Sequence, residues 1–125
     1  MRDMMRAALA VAAIMAAATG ARGADAKAPK AYVIGEVNVT DAETYKTYAA
    51  KTSPIVAKFG GIYIARGGQT VPVEGAGPAG RIVVIEFPSL AAAKAFESSA
   101  EYLKVAPIRQ RSSTGRFFIV EGTAP

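Results

Sequence analysis

The sequence predicts a single α+β domain of four strands and two helices in the order β-α-β-β-α-β. Three observations carry that prediction. Four segments rich in β-branched and aromatic residues, 32–39, 62–66, 81–87 and 116–121, have the length and composition of strands. Two segments between them place apolar residues at helical spacing. Glycine and proline clusters at 60–61 and 67–80 separate the pieces. This is the order of a ferredoxin-like split βαβ unit, a four-stranded antiparallel sheet with both helices on one face.

Residues 1–26 stand apart from that domain. Arg2 and Arg6 precede an uncharged apolar run, 7–18 (AALAVAAIMAAA), and a small, polar stretch follows it. The pattern is that of a Sec-type signal peptide, which predicts a periplasmic or secreted protein. Small-x-small cleavage fits after Gly23 or after Ala26. A membrane anchor is the competing reading, but the run falls well short of the roughly 20 residues that span a bilayer. Without a cysteine there is no lipid attachment, and no Arg-Arg pair marks twin-arginine export. Residues 27–30 read as a short linker, 31–122 as the domain and 123–125 as a tail.

In the domain, strand 32–39 (YVIGEVNV) ends at Thr40-Asp41-Ala42-Glu43, which spells a capping box with Thr40 as N-cap. Tyr45, Tyr48, Ala49, Thr52, Val56 and Phe59 then recur at helical spacing. Pro54, having no N–H, is expected to kink that helix or restart it with Ser53 as cap, and Gly60-Gly61 to end it. Strand 62–66 (IYIAR) is followed by a loop over 67–80 and strand 81–87 (RIVVIEF). Pro88-Ser89 opens a second helix through Leu90, Ala93 and Phe96, which pauses near Ser98-Ser99 and continues through Tyr102 and Leu103 to Pro107. Residues 116–121 (RFFIVE) close the set.

The 125 residues contain no cysteine, histidine or tryptophan. That excludes a Cys/His zinc site, His-ligated haem, an iron–sulfur cluster and Ser-His-Asp or Cys-His nucleophiles. Carboxylates, tyrosines, hydroxyls and basic side chains remain, enough for acid–base chemistry, oxygen-ligated Mg²⁺ or Ca²⁺, or binding alone. No cofactor is expected. Removing residues 1–23 takes away Arg2, Arg6, Arg22 and Asp3, so the net charge falls from +5 to +3. The remaining Lys and Arg are scattered singly, which argues against a nucleic-acid partner. Gly75 to Gly80 spells G-x-G-x-x-G, but a strand follows it where a dinucleotide site needs a helix. Asn38-Val39-Thr40 spells a glycosylation sequon at a strand end and is read as coincidental.

The strand alternation bears on assembly. One parity is wholly apolar (Val33, Val37, Val39; Val83, Ile85, Phe87; Phe118, Val120) and is expected to face the helices. The other runs Tyr32, Ile34, Glu36; Ile82, Val84, Glu86; Phe117, Ile119, Glu121. A sheet face left to water carries polar side chains, so this second apolar face is expected to be covered by a second copy. The alternative is a twisted sheet that tolerates some exposed Ile and Val.

Six short pieces in order carry a resemblance: Tyr32-Val33-Ile34, Asp41 to Tyr48 (DAETYKTY), Phe59-Gly60-Gly61, Ala65-Arg66-Gly67-Gly68, Ile85 to Ser89 (IEFPS), and Glu101-Tyr102 through Pro107-Ile108-Arg109. Together they resemble the domain of unknown function 1330 over nearly all of residues 31–122. The resemblance implies a dimeric α/β barrel, the assembly of antibiotic-biosynthesis monooxygenases and muconolactone isomerases, with two sheets packed face to face. It implies no activity.

Six residues are candidates for a site. Arg66, before Gly67-Gly68, would clamp a carboxylate or enolate, or else pair with Glu86 or a loop carboxylate. Glu86, between Ile85 and Phe87, would serve as a general base in a desolvated setting, or else pair with an arginine or face solvent. Tyr102 and Arg109 lie where the resemblance places recurring residues. Tyr102 would orient or protonate a substrate oxygen, with helix packing as its alternative, and Arg109 would hold an anion. Tyr32 and Tyr63 would line a pocket, or simply serve as strand formers. The catalytic candidates are thus Glu86 and Tyr102, and the ligand-binding candidates Arg66, Arg109, Tyr32 and Tyr63. Three functions fit: binding of a small apolar or anionic molecule in the periplasm, a cofactor-free isomerase or monooxygenase acting on a small carbonyl or phenolic compound, and an interaction module without ligand.

Overall fold

The computed structural model describes residues 27–125, so the leader and its two cleavage positions lie outside the described residues. The elements are β1 (Ala31–Val39), α1 (Ala42–Lys58), β2 (Ile62–Arg66), β3 (Arg81–Phe87), α2 (Leu90–Ser98), α3 (Ala100–Ser112) and β4 (Ser113–Glu121). The sheet order is β2-β3-β1-β4 with every neighbouring pair antiparallel. β3 lies between β1 and β2, and β1 between β3 and β4, which is the split βαβ arrangement read from the element order. None of the described helices is long and apolar enough to cross a membrane.

Local chemistry explains where the elements begin and end. The N-cap of α1 is Asp41, one residue later than the capping box predicted. Its carboxylate accepts from the Thr44 amide at 3.2 Å and the Thr44 hydroxyl at 2.6 Å. The Thr40 and Asp41 amides both donate to the Ser112 carbonyl, at 2.9 and 3.2 Å, tying the end of β1 to the end of α3. Pro54 does not restart α1. The helix runs through the proline, whose ring is exposed, held by the buried stripe Tyr45, Tyr48, Thr52 and Val56. Ser53 is no cap either, its hydroxyl donating back to the Ala49 carbonyl at 3.0 Å. Gly60, at φ 81°, ends the helix as expected.

The expected pause in the second helical segment is a full break. The Ser99 hydroxyl donates to the Phe96 carbonyl at 2.8 Å and accepts from the Tyr102 amide at 3.1 Å, closing α2 and opening α3 with one side chain. α3 continues past Pro107 to Ser112 and passes into β4 without a loop, so β4 begins three residues before the sequence reading placed it.

The helices cover one sheet face. Phe87 and Phe96, both fully buried, stack at 5.2 Å between centroids, and Phe96 meets Tyr102 at 4.7 Å. Register places Val33 opposite Ile85 and Ile119, so these side chains share the helix face. The expected parity therefore holds in β1 and β3 but is reversed in β4. Phe117 and Ile119 pack toward the core, while Phe118 and Val120 are 46% and 45% exposed. Both parities of β4 are apolar, so only pairing could decide. Gly35, opposite Phe117, makes room for the ring, since a Cβ there would overlap it.

Candidate functional site

Between α1 and the sheet lies a cavity of about 30 Å³ lined by Tyr45, Tyr48, Tyr63, Arg66, Arg81 and Phe117, with Ala49, Val83 and Ile85 completing its walls. Tyr45 and Tyr48 come from the buried face of α1. Tyr63 and Arg66, three apart on β2, would point to opposite faces of a regular strand. A register shift between Tyr63 and Ala65 corrects this, pairing Tyr63 with Ile85 and Arg66 with Val83, both on the helix face. The bulge thereby delivers an arginine to the cavity.

Arg66 reaches the Ser53 hydroxyl at 2.9 Å and the Ala49 carbonyl at 3.4 Å, with its guanidinium 4.0 Å from the Tyr63 ring centroid. Arg81, opposite Val37, also turns to the helix face, 5.4 Å from the Tyr45 ring. A Cβ on Gly67 would come within 2.7 Å of the Arg81 guanidinium, so the bare glycine admits this chain's own arginine. The Arg81 Nε is buried and has no hydrogen-bond partner among the described residues. An unpaired buried donor is costly, and few native groups are left that way.

Deeper, the Tyr48 and Tyr102 hydroxyls share a buried hydrogen bond of 2.9 Å, and Arg109 Nε lies 3.4 Å from the Tyr102 oxygen. The Arg109 guanidinium stacks 4.3 Å above Phe117. Burial raises Tyr45, Tyr48 and Tyr63 above the ordinary value of 10.0, so at neutral pH all three are protonated and can donate. Burial also raises Glu97, against the opposing pull of Arg109.

Tyr63, Arg66, Tyr102 and Arg109 thus lie on the helix side of the sheet. Glu86 and Tyr32 do not. They face each other across β1 and β3 on the opposite side, where Glu86 pairs with Lys30 at 3.4 Å. The expected meeting of Arg66, Glu86 and Tyr102 is not formed, nor is an Arg66–Glu86 ion pair, because strand parity separates them. Tyr45, Tyr48, Arg81 and Glu97 were not singled out by the sequence reading. For Arg81 the signal was present: it shares parity with Val83, Ile85 and Phe87, an arginine beginning an otherwise apolar face.

Charge pairing sets these arginines apart. Lys30, Lys58 and Arg116 each have a carboxylate within 4 Å, from Glu86, Glu101 and Glu36 respectively. Among the described residues Arg66, Arg81 and Arg109 have none. Arg66 and Arg81 line one cavity with Tyr45, Tyr48 and Tyr63 and no carboxylate, an arrangement suited to an anion, with aromatic faces for a flat ring.

Known structures share this architecture. A protein of unknown function from Rhodopseudomonas palustris, RPA0582, is similar with a TM-score of 0.62 at 17% identity, over 86% of this chain and 93% of that one. Its methylated form gives 0.63 at the same identity, over 86% and 91%. SnoaB, a cofactor-independent oxygenase from Streptomyces nogalater, gives 0.56 at 13% identity, over 78% of this chain and 97% of its own. These likenesses concern the fold. No curated protein matches the sequence. The model of the domain of unknown function DUF1330 matches residues 30–123, and the chain belongs to that family.

Proposed function

We propose that this protein is exported and binds a small anionic aromatic molecule, such as an aryl carboxylate or phenolate, with its anionic group in the cavity between α1 and the sheet. One observation carries the reading: among the described residues, Arg66 and Arg81 line the same cavity with no carboxylate within 4 Å, and the Arg81 Nε has no hydrogen-bond partner. A bound carboxylate would satisfy both guanidiniums, and the Tyr45 and Tyr63 hydroxyls would add neutral donors. The leader supports export. The apolar open face, with Ile34, Val84, Phe118 and Val120, supports a homodimer in which a second copy covers the sheet. Calorimetric titration with benzoate tests the reading. Binding weakened about tenfold or more in Arg81→Met is expected, as for loss of a charge-assisted hydrogen bond. Equal binding by the variant would refute it.

A second reading, oxygenation of a bound phenol without cofactor, draws on the Tyr48–Tyr102 hydroxyl pair beside Arg109, donors that would stabilise a phenolate. Oxygen uptake in the presence of a panel of phenols distinguishes turnover from binding.

A further inference from the structure

The cavity of about 30 Å³ that Arg66 and Arg81 line has room for little more than a water molecule, whereas bound small molecules usually occupy 300 Å³ or more, as an order of magnitude. A second cavity lies beside it, about 320 Å³, lined by Val33, Glu97, Phe117, Phe118 and Ile119. Phe117 is common to both. Its ring is held between Arg109, stacked 4.3 Å above it, and the bare backbone of Gly35. It belongs to the sheet's edge strand β4, which pairs on one side only.

The larger cavity has apolar walls and one ionisable group, Glu97. No hydrogen bond or ion pair joins its carboxyl to another described side chain. The cationic groups facing this region are Arg109 and, beyond Phe117, Arg66 and Arg81. A chamber so built suits an apolar body ending in a hydroxyl.

We propose that Phe117 partitions one elongated ligand site, and that its occupant is a fused-ring aromatic anion with its charged end at Arg66 and Arg81 and a hydroxyl at Glu97. The inference rests on the anion-binding reading above and adds to it a size limit, a second subsite and a residue that sets each. Displacing the Phe117 ring joins the two cavities. Every such anion places its charged group at the arginine end, whereas only a second ring and its hydroxyl extend past Phe117 to Glu97.

Benzoate, 2-naphthoate and 6-hydroxy-2-naphthoate, titrated against the full mature chain and its variants, separate the two claims. Phe117→Ala should strengthen both naphthoates about tenfold more than it strengthens benzoate. Phe117→Leu, which keeps an apolar side chain of moderate size, should move in the same direction and serves if the alanine variant fails to fold. Glu97→Ala should abolish the preference for the hydroxylated naphthoate and leave 2-naphthoate unchanged. Naphthoates weakened in parallel with benzoate by both Phe117 variants would overturn the partition. A hydroxyl preference surviving Glu97→Ala would overturn the second subsite. Benzoate binding insensitive to Arg81→Met would refute the anion-binding reading itself, a result neither Phe117 nor Glu97 can imitate.

Discussion

The two faces of the sheet are both apolar in β1 and β3, yet their charges are arranged in opposite ways. On the open face, Glu86 meets Lys30 and Glu36 meets Arg116 directly across the β1–β4 register. On the helix face, Arg66, Arg81 and Arg109 lie against the Tyr63, Tyr45 and Phe117 rings, with no carboxylate within 4 Å among the described residues, Glu97 acting on Arg109 from farther off. Paired charges flanking an exposed aliphatic patch fit a surface that meets another protein. Unpaired guanidiniums beside protonated tyrosines fit a surface that meets a small anion. Hydrophobic pattern alone does not separate the two roles, whereas the partners of the charged residues do.

Five perturbations would break or sharpen this contrast. The largest is Phe87→Ala on the helix face, which removes a fully buried ring stacked on Phe96 and should destabilise the fold by about 3–5 kcal/mol in urea unfolding. Its effect should not depend on protein concentration. Val84→Lys on the open face should instead leave monomer spectra unchanged and weaken self-association on the order of a hundredfold, read by sedimentation, as loss of a central interface contact does. Arg81→Met should weaken benzoate binding yet shift stability by no more than about 1 kcal/mol, because the guanidinium it removes has an unsatisfied donor. The matching change on the open face, Arg116→Met, should alter neither.

The smallest effect concerns Tyr48. Tyr48→Phe leaves Tyr102 one hydrogen bond poorer and should cost about 1 kcal/mol at neutral pH. Burial raises Tyr48 in the folded state above its ordinary value of 10.0. The unfolded chain therefore releases the proton first, and stability is intact below about pH 10 and falls as pH rises beyond it. Urea midpoints measured from pH 8 to 11 should drop for the native chain, and less steeply for Tyr48→Phe.

Most of the fold is legible in the sequence because strand composition, glycine breaks and helical spacing are local signals that agree with one another. The misplacements occur where tertiary bonds intervene. Asp41 caps α1 in place of Thr40 where both amides are tied to the Ser112 carbonyl, and the packed stripe of α1 carries the helix through Pro54. In β4, Phe117 and Phe118 are indistinguishable by pattern, and pairing with Gly35 and Ile34 assigns them to faces. The site is only half legible for the same reason. Tyr63, Arg66, Tyr102 and Arg109 are found on one side of the sheet. Glu86 reads as a buried base because its neighbours are apolar, although alternation turns it to the other face. The bulge that aligns Arg66 with Tyr63 leaves no mark in IYIAR, since a one-residue shift depends on β3.

Native mass spectrometry of the full chain, expressed with residues 1–26 in a bacterial host and purified without added ligand, tests the central claim most directly. The account predicts a dimer carrying the extra mass of a small molecule, lost when Arg66 and Arg81 are both replaced by alanine. A bare monomer, or an added mass retained by the double variant, would contradict it.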